Sequence, residues 1–220
     1  MAFAGFSPAA LIFFEGLAAD NSKAYWQDHK HIYDADVKGS MSALLDELSE
    51  FGPFHLFRPY NDVRFAKGRP PYKEQIAAVG EREGGATYYI QLSTGGLTVG
   101  AGYYHMANDQ LDKFRRAVDD ERRGNELATI CAALTKRRYT LGAMEELKTA
   151  PRGYAKDHAR IDILRRKGLI AMKSWEPEPW LFTKSVVKKV RDAWNEIAPL
   201  NDWLDANVGP STLPPPDFAR

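Results

Sequence analysis

The sequence has only one cysteine in 220 residues, so no disulfide can form within the chain. Such sparse cysteine usage is typical of proteins in a reducing compartment. Cys131 lies in the apolar stretch Leu127–Leu134, which has the pattern of a helix. That setting favours a small core residue over a reactive nucleophile.

Long apolar runs are also missing. The stretch Ala2–Ala19 is interrupted by Glu15, and no lysine or arginine precedes it. It therefore has neither the charged start of a signal peptide nor the length of a membrane span. The sequence predicts a cytoplasmic protein with no membrane-spanning segment.

No charge of one sign dominates, because 30 lysines and arginines face 29 acids, for a net charge of +1. This balance argues against a dedicated nucleic-acid-binding protein. The distribution is uneven, however, since residues 1–57 carry a net −5 and residues 136–191 a net +9. The basic part could attract phosphate or carboxylate, or it could be solvated helix surface. Opposite patches also permit a protein-interaction or self-associating module, and the oligomeric state stays open.

The familiar catalytic signatures are absent. The sequence has no phosphate-binding Walker loop, no G-x-S-x-G elbow and no paired-cysteine motif. His29 and His31 are two residues apart, so on a helix they would point in different directions. We therefore predict neither a metal site nor a cofactor.

The order of apolar patterns predicts an α+β fold, with a small, mainly antiparallel sheet covered by helices. Ser7-Pro8 and Asp20-Asn21-Ser22 predict helix starts in a helical N-terminal third, and Thr183 predicts the start of a long C-terminal helix. Gly124-Asn125 predicts another helix start, and Asp157 a cap for a short helix. We expect one domain over residues 1–208, followed by a mobile, proline-rich tail over 209–220.

A hairpin is the clearest strand signal. Residues 87–93 and 97–105 are rich in aromatic and β-branched side chains, and a Gly-Gly turn separates them. Gly100 and Gly102 within the second strand predict a bulge or the close approach of another group.

The segment Arg58–Lys73, called the ribbon below, cannot form a regular helix. Its prolines at 59, 70 and 71 lack a backbone donor and push the preceding residues toward extended geometry. Gly68 permits a turn. The ribbon carries five cations, which makes it a plausible wall for an anion pocket. Asp62 could orient one arginine of the site, or Asp62 and Arg64 could pair for purely structural reasons.

A second cationic stretch, residues 151–167, is called the basic segment below. It begins with the turn Pro151-Arg-Gly-Tyr154, and His158 is expected in the first turn of the helix capped by Asp157. Amide donors at such a helix start favour an anion, and imidazole titrates near neutrality. His158 is therefore the candidate general acid or base, with a structural histidine as the alternative.

We predict that the ribbon and the basic segment face each other around one pocket for a phosphorylated or carboxylated small molecule. Its candidate ligand-binding residues are Arg58, Asp62, Arg64, Tyr72, Lys73, Tyr103, Arg152 and Tyr154. An enzyme that acts on such a ligand through His158 is the alternative function.

The ribbon resembles the hallmark of a bacterial family catalogued as domain of unknown function 2461. That hallmark is similar to R-x-x-R-D-x-R-F followed by an acidic or amide residue, lysine and a later tyrosine. The chain matches it at Arg58, Asp62, Arg64, Phe65 and Tyr72. It departs from the hallmark at three positions. Asn61 stands where the family has Arg, Gly68 where it has Asp or Asn, and Arg69 where it has Lys.

Further likeness extends over nearly the whole chain up to the tail. It includes Gly5-Phe6, Asn21–Trp26, Gly102–His105 and Pro151–His158. The resemblance implies a single domain of this length and brings no established activity.

Overall fold

The computed structural model describes residues 2–62, 68–81 and 85–213. The α-helices are α1 (Pro8–Ala19), α2 (Lys23–Ile32), α3 (Ser40–Asp46), α4 (Asn108–Asp119), α5 (Glu121–Lys136), α6 (Ile161–Leu164) and α7 (Ser185–Asn207). The strands are β1 (Phe54–Leu56), β2 (Gln75–Glu81), β3 (Thr87–Ser93), β4 (Gly96–Tyr103), β5 (Thr140–Gly142) and β6 (Leu169–Trp175). Short 3-10 turns cover Ser49–Phe51 and Pro179–Phe182.

The strands form one antiparallel sheet in the order β1-β2-β3-β4-β6-β5. In its edge pair β1–β2, His55 lies opposite Val79, and in the pair β5–β6, Leu141 lies opposite Ala171. Helices and an antiparallel sheet confirm the predicted α+β class, and α7 is the predicted long C-terminal helix.

The described residues fall into two compact units. The first unit comprises Met1–Gly80, Tyr88–Val99 and Ser174–Ala193. The second unit comprises Glu81–Thr87, Gly100–Lys173 and Trp194–Arg220. The single domain over residues 1–208 stays a prediction.

The core of the first unit is aromatic and lies where α1 meets α2. The ring of Phe13 lies 5.8 Å from Trp26 and 5.7 Å from Tyr33 between centroids, and all three side chains are buried. The Tyr25 hydroxyl donates to the Phe13 carbonyl at 3.0 Å. Ser7 and Ser22 cap α1 and α2 through their side chains, and both lie within the segments that the sequence indicated as helix starts.

The core of the second unit forms between α4, α5 and α7. The buried rings of Phe114 and Trp203 meet edge to face at 6.4 Å, and the Trp203 indole donates to the Arg123 carbonyl at 3.1 Å. Helix α5 begins at Glu121, capped by Asp120, and not at the predicted Gly124. Gly124 lies inside the first turn, where a β-carbon would sit 2.2 Å from the Val118 carbonyl oxygen.

The close approach predicted at the β4 glycines is confirmed. A β-carbon on Gly102 would lie 2.2 Å from the Leu169 carbonyl oxygen, and one on Gly100 would lie 2.1 Å from the Met172 sulfur. Gly102 also has a φ of +135°, which side chains disfavour. Strand β6 can therefore pack directly on the backbone of β4.

The end of the described chain is held against the start of α4. Ser211 Oγ donates to Asp109 Oδ1 at 2.7 Å, and the Thr212 amide donates to Asp109 Oδ2 at 2.8 Å. These hydrogen bonds lower the pKa of Asp109 to about 2, and the bond from the Thr212 amide has the largest effect. The mobility expected for the tail stays a prediction, and its residues 214–220 lie outside the described part.

Two expectations about local structure need correction. The short helix α6 begins at Ile161, after Arg160, so Asp157 does not cap it. Strand β2 was not predicted at all, because its alanines and glycine are poor strand formers. Across the described ranges, no helix is both long and apolar enough to cross a bilayer.

Candidate functional site

The two arms of the ribbon pair with each other around their prolines. A proline carbonyl can accept a hydrogen bond although its nitrogen cannot donate one. The Lys73 amide donates to the Pro59 carbonyl at 2.7 Å, and the Asn61 amide donates to the Pro71 carbonyl at 2.9 Å. The Asn61 side chain adds a bond of 2.8 Å to the Pro70 carbonyl. The departure from the expected family arginine at Asn61 thus supplies an amide that ties the arms together.

Asn21 fastens the ribbon to the start of α2. The Tyr72 amide donates to Asn21 Oδ1 at 2.9 Å, and Asn21 Nδ2 donates to the Tyr72 carbonyl at 3.1 Å. The Tyr72 ring stacks on Trp26 with centroids 4.4 Å apart and an interplanar angle of 7°. Tyr72, a predicted ligand-binding residue, is buried in this stack, and burial followed by the charge of Tyr60 raises its pKa.

A cavity of about 630 Å³, called the ribbon cavity below, lies beside this stack in the first unit. Its cationic lining residues are Lys30, Lys38, Arg58 and Lys73. Its aromatic lining residues are Trp26, Tyr33, Phe57 and Tyr60. Two predicted ligand-binding residues, Arg58 and Lys73, therefore line one cavity together.

Positive charge in the ribbon cavity is only partly neutralised within the described residues. Lys30 pairs with Asp34 one helical turn away. No described carboxylate lies within ion-pair distance of Arg58, Lys38 or Lys73, and Lys73 Nζ donates instead to the Arg58 carbonyl at 2.9 Å. Burial first, and then the charges of Arg58 and Arg69, lower the pKa of Lys73 below 10.5. These features are those of a site that is short of negative charge.

One wall of the ribbon cavity comes from an unusual helix. Between α2 and α3 the chain forms a π-helix over Tyr33–Gly39, called the π segment below. The widened turns of the π segment place Tyr33, Asp34 and Lys38 on the cavity. π-helical turns are rare and often occur at functional sites.

The ribbon also contains predicted site residues that cannot be assigned a geometry. Arg64 and the neighbouring Phe65 lie outside the described residues. Asp62 is described and half-buried. Whether Asp62 orients Arg64 for a ligand stays a prediction.

His158 belongs to the second unit and lies in a turn before α6, so the expected position in a helical first turn is wrong. The Arg160 amide donates to His158 Nδ1 at 3.0 Å, and His158 Nε2 lies 3.2 Å from Asp119 Oδ1. Because Nδ1 accepts, the neutral ring carries its proton on Nε2 and donates it to Asp119. A general acid–base role for His158 stays a prediction, and it would require a substrate to replace Asp119.

Several cations of the basic segment are used within the second unit. Arg160 donates to the Val118 carbonyl at 2.7 Å and to Asn125 Oδ1 at 2.8 Å, which ties together the ends of α4 and α5. Three further cations of the segment form ion pairs: Arg165 with Asp162, Arg166 with Glu146, and Lys167 with Glu145. This segment is therefore more nearly neutral than its composition indicates.

The remaining predicted site residues also lie in the second unit. Arg152 is exposed, and Tyr154 is half-buried with a pKa raised by burial and then by Asp119. Tyr103 is buried, and its hydroxyl donates to Asp205 Oδ1 at 2.9 Å. A pocket shared by these residues and the ribbon stays a prediction.

Sequence reasoning missed the contribution of α2 and the π segment to the ribbon cavity. The missed residues are Trp26, Lys30, Tyr33 and Lys38. A signal was present, because Trp26, Lys30, Asp34 and Lys38 repeat every four residues along one face of a helix.

The described residues contain no group of three or more His, Cys, Asp or Glu side chains that could hold a metal ion. No curated protein and no solved structure matches the chain. A family model does match, over residues 9–203, and it is described as a conserved hypothetical protein (DUF2461). Because this match covers most of the sequence, the chain belongs to the DUF2461 family.

Proposed function

We propose that the ribbon cavity binds an anionic small molecule through Arg58, Lys38 and Lys73. The observation that supports this proposal is the convergence of the three cations on one cavity with no described carboxylate partner. The lowered pKa of Lys73 indicates the same shortage of negative charge. A bound phosphate or carboxylate would supply it through charge-assisted hydrogen bonds.

The surroundings of these cations suit a ligand of modest size. A volume of about 630 Å³ is within the range that small-molecule sites occupy. The backbone on either side of Arg58 and Lys73 is fixed by the bonds between Asn21 and Tyr72 and by the bonds between the two arms, so it is positioned before a ligand arrives. Such preorganisation reduces the entropy lost on binding.

Titration calorimetry with inorganic phosphate and pyrophosphate tests the proposal. Arg58→Gln should weaken binding about tenfold or more, because a charge-assisted bond contributes roughly 1.5–3 kcal/mol. The matched control is Arg122→Gln, which removes an exposed arginine of α5 in the second unit and should leave the affinity unchanged.

Two results would contradict the proposal: no binding of either anion by the unaltered chain, or equal losses in the two variants. Arg152→Gln measured in parallel tests the broader prediction that the basic segment shares the site. A weaker phosphate affinity of this variant would support that prediction, and an unchanged affinity would argue against it.

A further inference from the structure

We infer that the ligand of the ribbon cavity carries a flat aromatic ring next to its anionic group, as a free nucleotide does. This inference rests on the proposed function and specifies the class of ligand. Its basis is the aromatic half of the cavity lining, which an inorganic anion would leave unused.

The aromatic side chains of the ribbon cavity are exposed to solvent to an unusual degree. Phe57 is 39% exposed and Tyr60 is 46% exposed, although both are large apolar side chains. They border Arg58 in sequence, so ring faces and a cation are presented side by side. Exposed aromatic rings beside cations are the arrangement on which nucleobases stack while phosphates are bound.

The buried part of the cavity wall supports these two rings. The Tyr60 ring lies 5.8 Å from Trp26 and 5.4 Å from Tyr72, so it is backed by the stacked pair beneath it. Lys73 Nζ lies 5.6 Å from the centroid of the Phe57 ring. A ligand that stacks on this wall would therefore have its anionic group within one short linkage of its ring.

The charge around the ribbon cavity favours a free nucleotide over a nucleic-acid strand. Only a few cations line the cavity, whereas the first 57 residues, which supply most of its lining, carry a net −5. This net negative charge would repel a polyanion more strongly than a single nucleotide.

Calorimetry with three probes separates the contributions of ring and anion. AMP and ribose 5-phosphate carry the same phosphate, and adenosine carries the ring and sugar alone. We expect AMP to bind about tenfold more tightly than ribose 5-phosphate, because stacking of one base is worth about that factor. Adenosine should bind more weakly than AMP.

Variants of the aromatic wall assign the gain to named rings. Tyr60→Leu and Phe57→Leu should reduce AMP affinity toward that of ribose 5-phosphate and leave ribose 5-phosphate binding unchanged. Tyr60→Phe retains a ring and should retain the preference for AMP, which guards against a general loss of structure. Tyr104→Leu is the matched control, because Tyr104 is an exposed tyrosine of the second unit.

The outcomes distinguish the two levels of the argument. Equal affinities for AMP and ribose 5-phosphate would overturn the aromatic-ligand inference and leave the anion site intact. Failure of both phosphates to bind, or adenosine binding as tightly as AMP, would contradict the proposed function itself. Tighter, strongly salt-dependent binding of a short single-stranded oligothymidylate would overturn the assignment to a free nucleotide.

Discussion

At the scale of single residues, Asn21 joins the segment just before α2 to the ribbon. The side-chain amide of Asn21 bonds to both the backbone N–H and the backbone carbonyl of Tyr72. The two prolines that precede Tyr72 have no backbone N–H to donate. Asn61 has a comparable part, because its amide bonds to the Pro70 carbonyl across the ribbon. Both side chains add hydrogen bonds to a segment in which the prolines cannot donate and only a few backbone bonds join the two arms.

Asn21→Ala should lower the free energy of unfolding by about 1–3 kcal/mol, because the Tyr72 amide would lose its partner in a mostly buried place. Urea unfolding followed by circular dichroism measures the change. The matched control is Asn195→Ala, on the exposed side of α7, which should change stability by less than about 0.5 kcal/mol. A loss no larger in Asn21→Ala than in the control would show that the clamp contributes little.

Lys73 provides a pH-dependent prediction. Its pKa lies below 10.5 because of burial, Arg58 and Arg69, and a bound anion should raise it again. Between the lowered and the raised pKa, phosphate binding should therefore take up protons, and the affinity should fall as the pH rises from the lowered to the raised value.

Calorimetry in two alkaline buffers with different ionisation enthalpies measures this uptake of protons. Lys73→Arg is the control, since the guanidinium remains charged throughout this range and the variant should take up fewer protons without losing binding. Proton uptake of the same size in Lys73→Arg would assign it to another group.

At the scale of elements, the backbone of β4 allows β6 to pack closely in the second unit. Gly102→Ala would force a β-carbon against the Leu169 carbonyl and keep a side chain at a φ of +135°. We expect a loss of about 3 kcal/mol or more in the free energy of unfolding. Gly142→Ala in β5 is the matched control, because no atom lies within 4 Å of its added β-carbon. Similar stabilities of the two variants would mean that β6 moves away without cost.

Local signals predicted the elements with distinct chemistry and missed those without it. Ser7 and Ser22 cap their helices as expected, and the Gly-Gly hairpin of β3 and β4 forms where its turn predicts. The predicted start of α5 was misplaced because Asp120 is a better helix cap than Gly124. The Asp120 side chain accepts a hydrogen bond from the Arg123 amide, three residues further on. Of the cations that line the ribbon cavity, only Arg58 and Lys73 were predicted site residues. The lysines on the α2 side were missed because the packing of α2 against the ribbon depends on contacts between residues about fifty positions apart in sequence.

At the scale of the whole molecule, the two compact units share continuous elements. Strand β4 and helix α7 each contribute residues to both units. The single domain predicted over residues 1–208 implies one cooperative unfolding transition.

Hydrogen exchange read by mass spectrometry at increasing urea tests this expectation. Amides of α2 in the first unit and of α5 in the second should lose their protection at the same urea concentration. Two separate midpoints would instead assign the units to separate domains.

The π segment bears on any attempt to raise the thermal stability of this chain by redesign. Removing one residue between Tyr33 and Gly39 would return the helix to ordinary i→i+4 bonding and narrow its turns. The side chains of Tyr33, Asp34 and Lys38, which line the ribbon cavity, would then be presented at changed positions. A design that made these seven residues regularly α-helical would therefore also alter the lining of the proposed anion site.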